Sequence, residues 1–217
     1  MVLKNMRLSC KHFLMLANVQ NRDKFFENLS ENYKEVLDEF LKSDVEMMPY
    51  PWPSVPLYNI LNIIENHLDK FPTISENLKY VDGYTIVSIG VSILNYTCKS
   101  SPHKDLHPTD GNFKRFHLPL QLTDTSFMYI QEDDGEYKKY SWELGKWSQF
   151  TAIDKTHYPL NEDKDGVDRI LLMVDLFEGE VSDKDVYEYY EVIETLGARL
   201  NEFDFRPYYD KYIQNKT

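Results

Sequence analysis

The sequence predicts a mainly β fold with flanking helices, built as an antiparallel, double-sheet jelly roll. Three observations predict it. Between Tyr84 and Phe177, short runs rich in β-branched and aromatic residues recur. Turn-forming clusters separate several of them, at Thr109-Asp110-Gly111, Asp133-Asp134-Gly135 and Asp163-Lys164-Asp165-Gly166. On either side of this stretch the apolar period turns helical. Many short strands closed by turns are the pattern of a jelly roll.

Taken in order, residues 22–43 read as one amphipathic helix. Phe26, Leu29, Tyr33, Val36, Leu37, Phe40 and Leu41 recur at three- and four-residue steps, and Glu27, Glu31, Lys34, Glu35 and Asp38 fill the opposite face. Pro49, Pro51, Pro53 and Pro56 then break helical structure, because each removes a backbone donor and fixes φ. The segment contains a PxxP match that reads as an extended connector. A second helix is expected over 57–70, with Tyr58, Leu61, Ile64 and Leu68 buried. Strands are expected at Ile86-Val87-Ser88-Ile89 and Val91-Ser92-Ile93-Leu94, separated by Gly90. Further strands are expected at 115–121, 126–131, 136–142, 147–152 and 169–177. The Ser182 to Asp185 segment reads as an N-cap with an acidic first turn, opening a helix with Val186, Tyr189, Tyr190, Ile193, Leu196 and Leu200 on one face. The expected organisation is a single domain over 1–217, with a helical region over 1–80, a β core over 84–178 and a helical region over 182–217.

Composition narrows the function classes. A chain of 217 residues with 42% hydrophobic residues can bury one sizeable core. Its net charge of -12 repels phosphate backbones and anionic membrane surfaces, so neither nucleic acid nor membrane is an expected partner. The two cysteines, Cys10 and Cys98, form no disulfide framework, which suits a reducing, cytoplasmic setting. Lys4, Arg7 and Lys11 precede the apolar run from Phe13 to Val19, but that run is short, is interrupted by Asn18 and lacks a small-residue cleavage site. No segment approaches the about 20 apolar residues a spanning helix needs.

The chemistry concentrates in six positions. His103 and Asp105 are two residues apart, so an extended backbone projects both to one side with Lys104 turned away. His157 follows about fifty residues later, on a distant element that a rolled sheet can bring close. Two imidazoles and one carboxylate can hold Fe(II) on one face and leave the other open. A lone His-x-Asp pair is commonplace in solvated turns; His107 is a rival ligand that continues the alternation, but beside Pro108 it reads as a loop residue. Arg169 shares a strand face with Leu171, Met173 and Asp175, and Arg115 shares one with His117. An arginine on an otherwise apolar face is costly to bury unless an anion meets it, so these residues suggest a pocket for carboxylates.

The stretch from about Tyr84 to Glu178 resembles the aspartyl/asparaginyl β-hydroxylase family of Fe(II)- and 2-oxoglutarate-dependent oxygenases. The resemblance runs through Pro102-His103-Lys104-Asp105 and Arg115-Phe116-His117-Leu118-Pro119-Leu120. It continues through Trp142-Glu143-Leu144-Gly145-Lys146-Trp147 and His157 to Asn161, and closes with Arg169-Ile170-Leu171-Leu172-Met173-Val174-Asp175. It implies a double-stranded β-helix, with His103, Asp105 and His157 as ligands to Fe(II). It implies that Arg169 holds the distal carboxylate of 2-oxoglutarate, and that Arg115 and His117 contact 2-oxoglutarate or the primary substrate. Dioxygen is the second cosubstrate, and hydroxylation releases succinate and CO2. Some members lack the carboxylate ligand; its presence here is more like the bacterial branch, which includes proline hydroxylases acting on the free amino acid. One departure is the lone Asp154 in the segment from Phe150 to His157, where the family usually has an acidic pair.

The expected substrate is a free amino acid or small metabolite, ahead of an Asp or Asn side chain in a protein or a lipid-linked acyl chain. Two rival readings are a cupin-like metal protein that is not an oxygenase, and a non-catalytic binding protein on the same fold. Arg169 speaks against the first, since such an enzyme needs no 2-oxoglutarate anchor. Joint presence of His103, Asp105, His157 and Arg169 speaks against the second. The tyrosines at 187, 189, 190, 208, 209 and 212 read as a packed helical face or a contact between copies.

Overall fold

The computed structural model describes residues 16–18, 24–45, 54–61, 66–108, 111–151, 153–200 and 214. The basic segment with Lys4, Arg7 and Lys11, the residues Cys10 and His12, the proline-rich stretch at 46–53, the residues Thr109 and Asp110, and Tyr208, Tyr209 and Tyr212 lie outside the described residues.

Among the described residues, ten strands form two antiparallel sheets. The first holds β1 (Leu16–Asn18), β8 (Ser148–Phe150), β5 (Phe113–Gln121), β10 (Arg169–Glu178), β3 (Tyr84–Leu94) and β2 (Ser54–Asn59), in that order. The second holds β4 (Cys98–Lys99), β9 (His157–Asn161), β6 (Ser126–Gln131) and β7 (Tyr137–Tyr140). From β3 to β10 the chain crosses between the sheets so that β3 pairs with β10, β5 lies on the far side of β10, and β4 pairs with β9, the pairing order of a double-stranded β-helix.

Three short helices cover the outer face of the larger sheet: α1 (Lys24–Glu31), α2 (Tyr33–Lys42) and α3 (Pro72–Asn77). Phe25, Phe26, Leu29 and Val36 from α1 and α2 join one buried cluster with Ile89 and Val91 of β3, Leu118 and Leu120 of β5, and Leu172 and Val174 of β10. Full burial of such a side chain stabilises the fold by about 1.5–3 kcal/mol. Trp147 ties α1 to the turn before β8 by donating its Nε1–H to the Phe26 carbonyl at 2.8 Å. In the same turn, Gly145 has φ +70, and a Cβ there would meet the Tyr33 ring at 2.7 Å, so any other residue would be strained and would displace Tyr33. Because β10 alternates, its other face turns inward with Arg169, Leu171, Met173 and Asp175. Leu171 joins Met128, Ile130, Trp142 and Phe150 between the sheets.

The C-terminal helix α4 (Asp183–Leu200) closes one end, with Val186, Tyr189 and Tyr190 buried against Val87, Phe113 and Phe177. Its start is a reciprocal cap: the Ser182 hydroxyl accepts from the Asp185 backbone at 3.2 Å, and the Asp185 carboxylate accepts from the Ser182 backbone at 2.8 Å. No helix among the described residues is long and apolar enough to cross a membrane.

Several expectations are corrected. The helix expected over 57–70 begins instead as β2, whose Val55, Leu57 and Asn59 are buried in strict alternation, followed by a 3-10 turn at Leu68–Lys70. Pro56 is tolerated because β2 is an edge strand with a bulge between Pro56 and Tyr58. Gly90 does not separate two strands; it lies within β3 opposite Pro56, where a Cβ would stand 3.3 Å from the Val55 carbonyl oxygen. The single helix expected over 22–43 is two helices, parted at Asn32, whose φ of -106 leaves the helical region. β4 and β9 are not foreshadowed by any apolar run.

Candidate metal and anion site

The site lies between the sheets. His103 and His157 are brought together by an isolated antiparallel bridge, with each backbone donating to the other, at 3.0 Å from His103 and 2.8 Å from His157. Each ring is then fixed by a carbonyl two residues earlier. His103 Nδ1 is 2.7 Å from the Ser101 oxygen, and His157 Nδ1 is 2.8 Å from the Lys155 oxygen. A carbonyl only accepts, so Nδ1 carries the hydrogen in both rings and Nε2 is left to bind a cation.

Asp105 supplies the third group. Its Oδ1 is 3.5 Å from His103 Nε2 and 3.4 Å from His157 Nε2. Ligand atoms that each stand about 2.1 Å from one ion, at right angles, are about 3 Å apart. One ligand atom from each of His103, Asp105 and His157 lies within 4.8 Å of the others, and this is the metal-capable group among the described residues. Three lone-pair-bearing atoms turned on one another require a cation among them, either a proton or a metal ion. Burial opposes the His103 imidazolium, but hydrogen bonds to Asp105 and the Ser101 carbonyl outweigh it and raise its pKa above 6.5. Burial also opposes the Asp105 charge, but Arg115 beside it and the two imidazoles hold its carboxyl well below the usual carboxylate range.

Arg169, 3% exposed, opens β10. Its Nη2 reaches the Ser92 hydroxyl at 3.4 Å, and its guanidinium lies 5.1 Å from the Trp142 ring centroid. No carboxylate stands beside it among the described residues, and burial pushes its pKa down to about 9. Between Arg169 and the His-Asp-His group stands His117. Burial, with Arg115 and Arg169 nearby, pushes its pKa down to about 3, so the ring is neutral. It stacks on Phe150 at 5.3 Å, and the Phe150 ring meets His157 edge-on at 4.9 Å. Arg169 Nε, Trp142 Nε1, Ser148 Oγ and His117 Nδ1 are all buried without a hydrogen-bond partner among the described residues. Orphaned buried polar atoms are rare, and three of these four are donors, which fits an acceptor-rich anion.

Of the residues singled out from sequence, His103, Asp105 and His157 converge, and His117 and Arg169 both lie against the Trp142 ring. Arg115 turns elsewhere: its Nε and Nη2 bind Asp175 at 2.7 and 2.8 Å, and its Nη1 binds Asp105 at 2.6 Å. It is therefore committed to the chain's own carboxylates. His107 stands apart from the cluster, 2.8 Å from Asp154 through Nε2 and stacked on Phe113. Sequence reading assigned no role to Asp175, Trp142, Ser148 or Ser92. Asp175 was findable, since it shares a strand face with Arg169. Ser148 could be found only through its register with His117 across β5 and β8.

No protein-family model matches the sequence, and no curated protein matches it. Solved structures are among the proteins it is similar to. A prolyl-4-hydroxylase from Pseudomonas putida is 13% identical, with a TM-score of 0.45 over 70% of this chain and 88% of that one. HygX from Streptomyces hygroscopicus, solved with nickel and 2-oxoglutarate bound, is 10% identical, with a TM-score of 0.47 over 69% and 79%. A viral collagen prolyl hydroxylase from Paramecium bursaria Chlorella virus-1, in complex with 2-oxoglutarate, is 11% identical, with a TM-score of 0.43 over 70% and 92%. The assignment of this chain to a double-stranded β-helix rests on its own strand order.

Proposed function

We propose that this chain is an Fe(II)- and 2-oxoglutarate-dependent oxygenase that hydroxylates an amino acid or an amino-acid side chain. The observation that carries the proposal is the pairing of two features on either side of His117. One is a two-histidine, one-carboxylate cluster, and the other is a buried guanidinium with no counter-ion among the described residues. His103 Nε2, Asp105 Oδ1 and His157 Nε2 would hold Fe(II) on one face, the donor set that suits non-heme iron. Arg169 would take the distal carboxylate of 2-oxoglutarate, with the Trp142 Nε1–H and the Ser148 hydroxyl as further donors. When bound, the iron supplies oxidation of a substrate C–H bond by dioxygen, coupled to conversion of 2-oxoglutarate to succinate and CO2.

The chain's own residues would bind, orient and exclude water. The paired backbones of His103 and His157 keep both imidazoles at fixed separation. The carbonyls of Ser101 and Lys155 hold their tautomers. Phe150 and Trp142 wall the space between the metal side and Arg169, and His117 stays uncharged there. Arg115 would act on Asp105 rather than on the cosubstrate. A cupin-like metal protein without an oxygenase reaction would have no use for a buried arginine unmatched by a carboxylate among the described residues. The free amino acid is the preferred substrate, on the strength of the Asp105 carboxylate and the motifs around it, with an Asp or Asn side chain of a protein next.

An anaerobic titration with Fe(II) and then 2-oxoglutarate tests the proposal. The expected result is a visible charge-transfer band that needs both additions and is lost in Arg169→Ala. The band then justifies screening amino acids for succinate release, which His157→Ala abolishes. Metal binding with no band would favour the cupin-like reading, and failure to bind metal would favour a binding protein on this fold.

A further inference from the structure

The two oxygens of Asp105 face different partners. Oδ1 faces His103 Nε2 and His157 Nε2 at 3.5 and 3.4 Å. Oδ2 accepts from Arg115 Nη1 at 2.6 Å. Asp105 needs such support, because residues 104–108 form no regular secondary structure, whereas both histidines are fixed by their bridge and their carbonyl contacts.

Arg115 is itself held rigidly. It stands opposite Asp175 in the β5–β10 register, and Ser88 stands opposite Asp175 in the β10–β3 register. Its Nε and Nη2 form a two-bond fork with the Asp175 carboxylate, and the Ser88 hydroxyl donates to Asp175 Oδ2 at 3.2 Å. Three adjacent strands thus supply one row of side chains. Tyr189 of α4 borders the row and accepts from the Asn59 amide at 2.7 Å. A planar guanidinium gripped on two donors has its remaining direction fixed.

A carboxylate can bind a divalent ion through one oxygen or both. A two-histidine, one-carboxylate face leaves three of six positions open only if the carboxylate uses one oxygen. A chelating cosubstrate needs two of those positions, and a second carboxylate oxygen on the ion would compete for them. We propose that Arg115, braced by Asp175, is a positioning residue that holds Asp105 as a one-oxygen metal ligand and so keeps the chelating positions free. This proposal rests on the metal reading of the site given above. It differs from the role the sequence suggested for Arg115, which was direct contact with cosubstrate or substrate. It also differs from a plain structural ion pair, because it predicts a change in coordination as well as in folding.

The test uses the full chain loaded with Co(II), whose visible spectrum reports coordination. Removing Arg115 alone would strand the Asp175 charge in the interior, so the main variant is Arg115→Gln with Asp175→Asn. It removes one positive and one negative charge together, leaving the net charge of the row unchanged. Folding is checked by circular dichroism and Tm. Wild type is expected to bind Co(II) and then 2-oxoglutarate, with a spectral change at each addition. In the double variant the Co(II) spectrum before 2-oxoglutarate is expected to differ from that of wild type, and X-ray absorption to report an added oxygen neighbour. Its 2-oxoglutarate affinity is expected to fall about tenfold more than its Co(II) affinity. Arg115→Lys, which keeps the charge but loses the fork, is expected to shift in the same direction and serves if the double variant does not fold. A folded variant with the wild-type Co(II) spectrum and wild-type 2-oxoglutarate affinity overturns the proposal, as does an equal loss of both affinities without a spectral change. A wild type that binds no Co(II) overturns the metal reading itself, whereas a wild type that binds both and a variant that behaves identically overturns only the role of Arg115.

Discussion

The two parts of the candidate site are built on opposite principles. Around the two histidines the groups that set orientation have partners: both Nδ1 atoms meet carbonyls, and Asp105 Oδ2 meets Arg115. At the other end Arg169 Nε, Trp142 Nε1 and Ser148 Oγ are buried without partners among the described residues. The first arrangement fixes geometry before a ligand arrives. The second holds desolvated donors, at a cost to the stability of the fold that a bound acceptor would offset. In the proposed reading, the contrast separates two tasks, metal geometry and anion affinity, onto different strands of the same sandwich.

The largest expected break in this contrast comes from removing a metal ligand. His157→Ala is expected to weaken Fe(II) or Co(II) binding by at least about a hundredfold, measured by anaerobic calorimetry. Next comes Arg169→Met, which is expected to weaken 2-oxoglutarate binding to the metal-loaded protein by about a hundredfold while metal affinity stays near wild type. The same variant is expected to stabilise the ligand-free protein by about 2 kcal/mol, roughly 4–8 °C in Tm. The sign follows from the lowered pKa. A buried base pushed down to about 9 penalises the fold while it is protonated, so the gain is full below pH 9 and fades above it. A lower Tm for Arg169→Met would mean that Arg169 already has an internal partner, and the contrast would fail.

Acidity sharpens the metal end. A metal must displace the proton that His103 holds, and that proton binds above the ordinary value of 6.5. Metal affinity is therefore expected to begin falling at a pH above 6.5, by about tenfold per unit once His103 is protonated. The metal-free fold responds in reverse: the stabilisation from His103 is full below pH 6.5 and is lost as pH rises through its raised pKa. The smallest functional effect is expected from Asn161→Ala. Asn161 is fully buried, donates to the Leu94 and Val167 carbonyls, and accepts from Ser126, so it pins the end of β9 away from His157. Its loss is expected to cost about 3 kcal/mol of stability, with Co(II) affinity changed by less than about threefold.

Much of this molecule is legible in its sequence, for identifiable reasons. Arg169 through Phe177 reads as a strand because apolar residues fill seven of its nine positions, and its phase turns Arg169 and Asp175 inward together. Ser182 and Asp185 carry the start of α4 in their own side chains. β9 is not legible. His157-Tyr158-Pro159-Leu160-Asn161 has no β-branched residue, and it is a strand because β6 and β4 pair with it on either side. β2 is missed for a similar reason: Pro56 and the preceding prolines argue against a strand until an edge position removes the objection. In the candidate site, His103, Asp105 and Arg169 stand out by spacing and by charge on an apolar face. The commitment of Arg115 to Asp175 cannot be read from the chain, because it depends on the cross-strand register that sets the two residues opposite each other.

The most direct test of the central claim is a crystal structure of the protein with Mn(II) and 2-oxoglutarate. The account predicts one ion bound by His103 Nε2, His157 Nε2 and a single oxygen of Asp105, chelated by 2-oxoglutarate, with the distal carboxylate on Arg169. An ion held by other residues, or a 2-oxoglutarate whose distal carboxylate leaves Arg169 unengaged, would contradict it.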